Sequence, residues 1–166
     1  MSDFVAFLPD QTVEGPPAAF AQIERDHREV LRADDVRIDL EGGAALLRTS
    51  SSGRTPGFFG GPDGWVVLKG LVFDTRSSSP EVDLEDILRC LLSDGPPALN
   101  RYEGAFAAVA WDARSGHGWA FNDQASILNL YYAEREGGLW VTTCALPLAR
   151  ALGLALSPDG VREFVA

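Results

Sequence analysis

The stretch EGAFAAVAWDARSGHGWAFNDQASILNLYYAEREGGLWVTTC, residues 103–144, decides the fold because it contains four strand-like runs divided by turn signals. The runs are GAFAAVAWDA, GWAFND, ILNLYYAE and LWVTTC, and the turns fall at residues 114–116, near residues 123–124 and at residues 136–138. Short strands at even spacing, with turn residues between them, are typical of antiparallel sheets. This part of the chain therefore predicts an antiparallel meander.

The residues before the meander predict further strands and helices. Apolar or alternating runs predict strands at residues 3–8, 36–40, 44–48 and 65–73, the last of them interrupted or bulged near Gly70. Spaced apolar residues among helix formers predict an amphipathic helix over residues 17–33. A second helix begins at Asp83, whose side chain fits an N-cap, and ends at the Gly-Pro-Pro turn of residues 95–97.

Two helices close the chain, one at residues 145–152 and one from residue 161 to the end. Strands and helices are grouped rather than alternating, which predicts an α+β fold of layered sheets and helices. A chain of 166 residues is long enough for one sizeable core, so we expect a single domain over residues 1–166.

Composition excludes several classes of function. The 24 acidic and 14 basic residues give a net charge of −10, which repels nucleic-acid phosphates and anionic lipid. We therefore expect neither a nucleic-acid partner nor a membrane partner. The sequence shows no apolar run of membrane-spanning length and no signal-peptide pattern, so we expect a cytoplasmic location. Two cysteines are too few for a disulfide scaffold, and their spacing is not that of a metal site. His27 and His117 have no Cys or carboxylate nearby at metal-ligand spacing, so we expect both at the surface. We expect no metal and no cofactor.

Residues 50–64 are rich in Ser, Gly and Pro and predict a mobile loop that carries two adjacent aromatic residues, Phe58 and Phe59. Two interpretations of this pair are open. The aromatic rings are either a lid or a docking patch for a partner, or they pack back onto the core.

An ordered set of residues across the meander resembles the glutaminase domain of asparagine-synthetase-like proteins. Its members are Gly104, Phe106, Asp112, Asp123, Leu130 and Tyr131. The resemblance implies a four-layer αββα sandwich of the N-terminal-nucleophile hydrolase type. In that family the domain releases ammonia from glutamine, and an ATP-using synthetase domain follows; we expect that domain to be absent from this chain.

The resemblance also implies where catalytic groups would lie, and this chain departs from the family there. An active member begins with a Cys whose α-amine acts as its base, whereas Ser2 stands here, and a hydroxyl is a weaker nucleophile than a thiol. The family's Asn-Gly-Glu, which holds the oxyanion and the substrate, is replaced by Lys69-Gly70-Leu71. Loss of one oxyanion donor typically costs about 3–4 kcal/mol of transition-state stabilisation. We therefore expect glutaminase activity to be lost.

Two further positions are implied as substrate contacts. Arg48 aligns with the arginine that pairs with the α-carboxylate of glutamine, and Asp83 aligns with the aspartate that accepts its α-ammonium group. Each has a plain structural explanation as well: Arg48 as an ordinary strand-end arginine and Asp83 as a helix cap.

Two functional hypotheses follow. Lasso-peptide cyclases and β-lactam synthetases resemble asparagine synthetase but lack the Cys. By analogy, we expect this chain to be a catalytically inactive module without independent enzyme activity, the detached N-terminal half of such an enzyme. It would partner an asparagine-synthetase-like ATP-using enzyme of peptide natural-product biosynthesis, and would either stabilise that separate chain or help to present its peptide substrate. The loop with Phe58 and Phe59 and the terminal segment 161–165 are then docking candidates. The alternative is an active amidohydrolase that uses Ser2 and its α-amine, with Lys69 and the Gly70 N–H as oxyanion donors.

Overall fold

Antiparallel strand pairing organises the protein. The computed structural model describes residues 2–10, 17–29, 32–33, 35–41, 44–50, 56–77, 82–135 and 137–155, with the side chains of Ser2 and of residues 35–41 outside that description. The elements are β1 (Ser2–Pro9), α1 (Ala19–Glu29), β2 (Asp35–Glu41), β3 (Ala44–Ser50), β4 (Gly57–Gly61), β5 (Gly64–Asp74), α2 (Leu84–Asp94), a 3₁₀ helix (Pro96–Arg101), β6 (Tyr102–Asp112), β7 (His117–Asn122), β8 (Tyr131–Arg135), β9 (Gly138–Thr142) and α3 (Ala145–Ala151).

The described strands form two sheets. The first sheet has five strands in the order β2-β3-β1-β9-β8, and the second has four in the order β4-β5-β6-β7. Every pairing in both sheets is antiparallel. The α+β class predicted from the sequence is confirmed.

The two sheets pack face to face because alternate residues of their central strands are apolar. Phe4, Ala6 and Leu8 of β1 meet Val67 of β5 and Val109 of β6 in a core of fully or almost fully buried side chains. Since successive side chains of a strand point to opposite faces, the intervening residues of each strand are left for the helices. The centre of each sheet is therefore buried on both sides.

The helices cover those outer faces. On the first sheet, Val5 and Phe7 pack with Phe20 and Ile23 of α1 and Leu148 of α3. On the second sheet, a separate core joins α2 to β5 and β6; its buried members are Val66, Leu68, Ile87, Leu88, Leu91, Tyr102, Phe106, Ala108 and Ala110. Of the helices in the described part of the chain, none is long and apolar enough to cross a membrane.

The meander predicted for residues 103–144 is wrong in one respect. Its four runs form two hairpins that belong to different sheets, β6-β7 in the second and β8-β9 in the first. The connection between them is held by the buried Asp123 carboxylate, which accepts the backbone N–H groups of Phe106, Ala125 and Ile127. These bonds fix a loop over the first half of the predicted third strand, so β8 begins only at Tyr131.

Two local predictions also need correction. Residues 57–61 of the predicted mobile loop form β4, which pairs with β5 in continuous register. The bulge predicted near Gly70 is absent, because β5 and β6 pair without a break from Gly64–Asp112 to Asp74–Tyr102. The helix predicted from residue 161 lies outside the described residues.

His27 is buried, which corrects its predicted surface position. It follows Phe20 and Ile23 on the buried side of α1 and is 0% exposed. Its Nδ1 lies 2.8 Å from the carbonyl oxygen of Ile23, and among the described residues its Nε2 has no hydrogen-bond partner. Burial lowers the pKa of His27 below the ordinary 6.5, against weaker opposing effects of the Ile23 carbonyl, Asp3 and Asp26.

This burial predicts that the fold loses stability in mild acid. The unfolded chain takes up a proton at His27 below about pH 6.5, whereas the folded chain resists it, so the free energy of unfolding falls by up to about 1.4 kcal/mol per pH unit below that point. Urea unfolding between pH 7.5 and 5.5 measures the slope. The His27→Leu variant should be flatter over this range, and an equal slope in the variant would contradict the assignment.

Candidate functional site

The beginning of β1 meets the ends of two neighbouring strands. Antiparallel pairing sets Asp3 opposite Thr49 at the end of β3 and Val5 opposite Thr142 at the end of β9. The next residue of the chain, Thr143, donates its backbone N–H to the Phe4 carbonyl and accepts the Phe4 N–H at its Oγ1. Polar side chains that are distant in sequence are thus gathered at one end of the first sheet.

Asp3 is the centre of this cluster. Its side chain is only 4% exposed, and its Oδ1 accepts hydrogen bonds from Lys69 Nζ at 2.8 Å and from Thr143 Oγ1 at 3.0 Å. Since a buried carboxylate is costly without a cation and donors, Lys69 is the group that makes a charged Asp3 tolerable here. Lys69 belongs to β5, so the ion pair joins the two sheets.

The Lys69 ammonium group is held rather than free. Its side chain is 21% exposed, and the ion pair with Asp3 fixes it at the edge of the packed region between the sheets. The ammonium group of Lys69 donates to the Asp3 carboxylate, which compensates its positive charge. The Lys69 ammonium group thus contacts Asp3, the residue that follows Ser2 on β1, while the Ser2 side chain lies outside the described residues.

Gly70 has a structural reason to be glycine. Its φ is 110°, and a Cβ atom at this position would lie 2.1 Å from the carbonyl oxygen of Ala105 and 2.8 Å from Leu128 Cδ1. A side chain would therefore collide with the backbone of β6 as well as with the loop that crosses this point. The close approach accounts for the glycine without a role in binding an oxyanion.

The two predicted substrate contacts have separate partners. Arg48 is buried on β3, and its guanidinium carbon lies 4.1 Å from the centroid of the Phe58 ring, a cation–π distance. Asp83 is exposed at the start of α2, where its carboxylate accepts the Glu85 N–H at 2.9 Å. The N-cap predicted for Asp83 is therefore present, and a substrate role for either residue stays a prediction.

Phe58 and Phe59 are half-buried on opposite faces of β4. Phe58 packs against the core between the sheets, and Phe59 packs against the core beneath α2. This is the packed arrangement, the second interpretation left open by the sequence. Docking of a partner at these rings stays a prediction, with only part of each ring accessible to it.

Cys144 is a member of the cluster that sequence reasoning missed. It follows Thr142 and Thr143 and is the N-cap residue of α3. Burial raises the pKa of its thiol, the negative charge of Asp3 raises it further, and the Leu146 N–H and Lys69 act in the opposite direction. No sequence motif marks this cysteine; only the pairing of β1 with β9 brings it near Asp3. Among the described residues, no three His, Cys, Asp or Glu side chains are grouped to hold a metal ion.

The comparisons with known proteins give one family. A family model described as a glutamine amidotransferase domain matches residues 66–149, just over half of the chain. The matched segment runs from β5 to α3 and includes both hairpins and Lys69. No curated protein matches the chain.

The ion pair predicts a large stability loss when Lys69 is replaced. Lys69→Met leaves the Asp3 carboxylate buried without its cation, so the free energy of unfolding should fall by about 2–3 kcal/mol, less than for a fully buried pair because the Lys69 side chain is 21% exposed. Arg89→Met, which removes an exposed pair with Asp86 on α2, should cost less than about 1 kcal/mol. Denaturant unfolding of Lys69→Met, of Asp3→Asn and of the variant that carries both substitutions gives the coupling free energy between Asp3 and Lys69. If the losses in unfolding free energy of the two single variants add up to that of the double variant, a direct interaction is contradicted.

The raised pKa of Cys144 predicts a slow thiol. In a Cys90→Ser background, alkylation of Cys144 by iodoacetamide at pH 8 should be slower than alkylation of an unstructured cysteine peptide, because less thiolate is present. Asp3→Asn removes a negative charge and should speed the reaction. Mass spectrometry of timed samples measures both rates, and a Cys144 that matches the peptide's rate would refute the prediction.

Proposed function

The chain belongs to the glutamine amidotransferase domain family, and from this we propose that it is a glutaminase-like module that no longer hydrolyses glutamine. We propose further that it is of the asparagine-synthetase type and supports an ATP-using, amide-forming enzyme. The two face-to-face antiparallel sheets with helices on their outer faces support an N-terminal-nucleophile hydrolase fold for the domain.

The observation that carries the proposal is the hydrogen bond between Lys69 and Asp3. An oxyanion hole needs preorganised donors that are directed at the position where negative charge develops. Lys69 stands where the resembled family has an asparagine donor, and its ammonium group lies 2.8 Å from a buried carboxylate. The ammonium group has further N–H donors, but the ion pair with Asp3 sets its position and compensates its positive charge. It is therefore a weaker stabiliser of a tetrahedral intermediate than an uncompensated donor directed at the developing charge.

The neighbouring positions support the same conclusion. Ser2 offers a hydroxyl where the family has a thiol, and a hydroxyl depends much more on a base that removes its proton. Leu71 stands where the family has a glutamate, and its side chain is 68% exposed. Glutamine carries an α-carboxylate and an α-ammonium group, and the apolar side chain of Leu71 can bind neither of them. Leu71 therefore favours an apolar contact instead of glutamine binding.

A glutaminase-like module without glutaminase activity can still support an amide-forming enzyme. The related arrangement in lasso-peptide cyclases and β-lactam synthetases, which lack the Cys, keeps this domain beside an ATP-using synthetase. We propose the same relation for this chain, in peptide natural-product biosynthesis, with the synthetase on a separate chain or domain.

The competing function is hydrolysis by Ser2 and its α-amine. It is favoured by the position of Ser2 at the start of β1, one residue before the Asp3 that binds Lys69. It requires removal of Met1, because the base is the amine of residue 2.

One experiment separates the two functions. Intact-mass measurement establishes whether Met1 is removed, and a coupled assay measures glutamate released from glutamine by the wild type and by Ser2→Ala. We expect the two proteins to give the same background rate. Glutamate release by the wild type that Ser2→Ala abolishes would establish the amidohydrolase and refute the proposal.

A further inference from the structure

The inner face of the second sheet passes from buried to solvent-exposed along β5. In the first half of the strand, Trp65 and Val67 face the first sheet and are 2% and 0% exposed. In the second half, Leu71 and Phe73 lie on the same face by alternation and are 68% and 47% exposed. The Lys69–Asp3 pair marks the limit of the cover supplied by the first sheet, beyond which apolar side chains meet solvent.

The loop between the sheets passes close to this part of β5. Ile127 is 62% exposed in the loop between the sheets, and Leu128 of the same loop packs against the Gly70 backbone, next to Leu71. The loop is fixed because Asp123 accepts the Ile127 N–H at 3.2 Å. Leu71 and Phe73, here called the open face, are therefore an exposed apolar surface that the pairing of β5 with β6 holds in place before any partner binds.

The charge at the open face distinguishes two kinds of occupant. Glu103 is exposed on β6 directly opposite Phe73, and the chain as a whole carries a net charge of −10. A second copy packed here would bring its own Glu103 and its own negative charge to the same surface, which repel. A surface with apolar side chains bordered by Arg or Lys matches both features.

From these observations we propose that the open face is the docking surface for the asparagine-synthetase-like chain, and that this partner contributes apolar side chains bordered by basic residues. The inference rests on the proposed function and adds the contact surface and its chemistry. Leu71 and Phe73 supply the buried apolar centre of the contact, and Glu103 supplies a charged rim. The half-buried rings of Phe58 and Phe59 are not part of this surface.

The test uses the purified 166-residue chain and a purified asparagine-synthetase-like ATP-using chain from the same source, with binding measured by analytical ultracentrifugation and calorimetry. Leu71→Arg removes an apolar contact and places a positive charge against a basic rim, so we expect at least about tenfold weaker binding. Tyr132→Arg is the matched control, because Tyr132 is 75% exposed on β8 of the first sheet and receives the same charge. It should bind like the wild type, and Glu103→Gln should reduce the salt dependence of binding.

The outcomes separate this inference from the proposed function. Equal binding by Leu71→Arg and the wild type would overturn the open face as the docking surface and leave the proposed function standing. Self-association of the wild type that Leu71→Arg abolishes would overturn it in favour of a second copy. A wild type that binds no such synthetase chain would overturn the proposed function and this surface together. Equal thermal midpoints of the two arginine variants establish that each is folded.

Discussion

A buried carboxylate at the start of the first strand is the constraint on which the candidate site depends. Asp3 is buried at the beginning of β1, where an uncompensated charge would cost several kcal/mol. The compensation comes from Lys69 on the other sheet and from Thr143 beyond the end of β9. One polar contact therefore joins the start of the chain, the middle of β5 and the connection into α3.

The same contact separates two regions of different character. On one side of Lys69 the sheets enclose a core of buried aromatic and aliphatic side chains. On the other side β5 continues without cover, and its alternation brings Leu71 and Phe73 to the surface. A glutaminase of the resembled family would need polar groups at this boundary that are available to bind glutamine and the oxyanion. This chain instead has a neutralised ammonium group on one strand position and an apolar side chain two residues later.

Local patterns in the sequence predicted those features that depend on local chemistry. The strands of β1, β3, β5 and β6 follow from apolar runs, and the α2 cap follows from Asp83. The position of His27 could also have been predicted, because Phe20, Ile23 and His27 have the i, i+3, i+7 spacing of a buried helical stripe. The spacing of a titratable residue within such a stripe is thus a better guide to its burial than its side-chain chemistry.

Contacts between distant residues account for what sequence reasoning missed. Asp3 and Lys69 are 66 positions apart, and no motif joins them. The division of the meander between two sheets depends on the side chain of Asp123 rather than on a Gly or Pro signal. In β4 the glycine-rich sequence reads as a loop, yet pairing with β5 makes it a strand. The roles of Ser2, Arg48, Asp83 and Gly70 as site residues remain predictions.

The ¹⁵Nζ signal of Lys69 tests the central claim most directly, because Lys69 is the only lysine in the chain. Spectra of the labelled protein would be recorded while glutamine is added to about 10 mM, above the usual KM range of enzymes. The Asp3→Asn variant identifies the shift that follows when the ion pair is altered. A Lys69 committed to Asp3 gives a signal that glutamine does not move. A saturable shift of that signal with glutamine would mean that Lys69 belongs to a working substrate site, and would contradict the account.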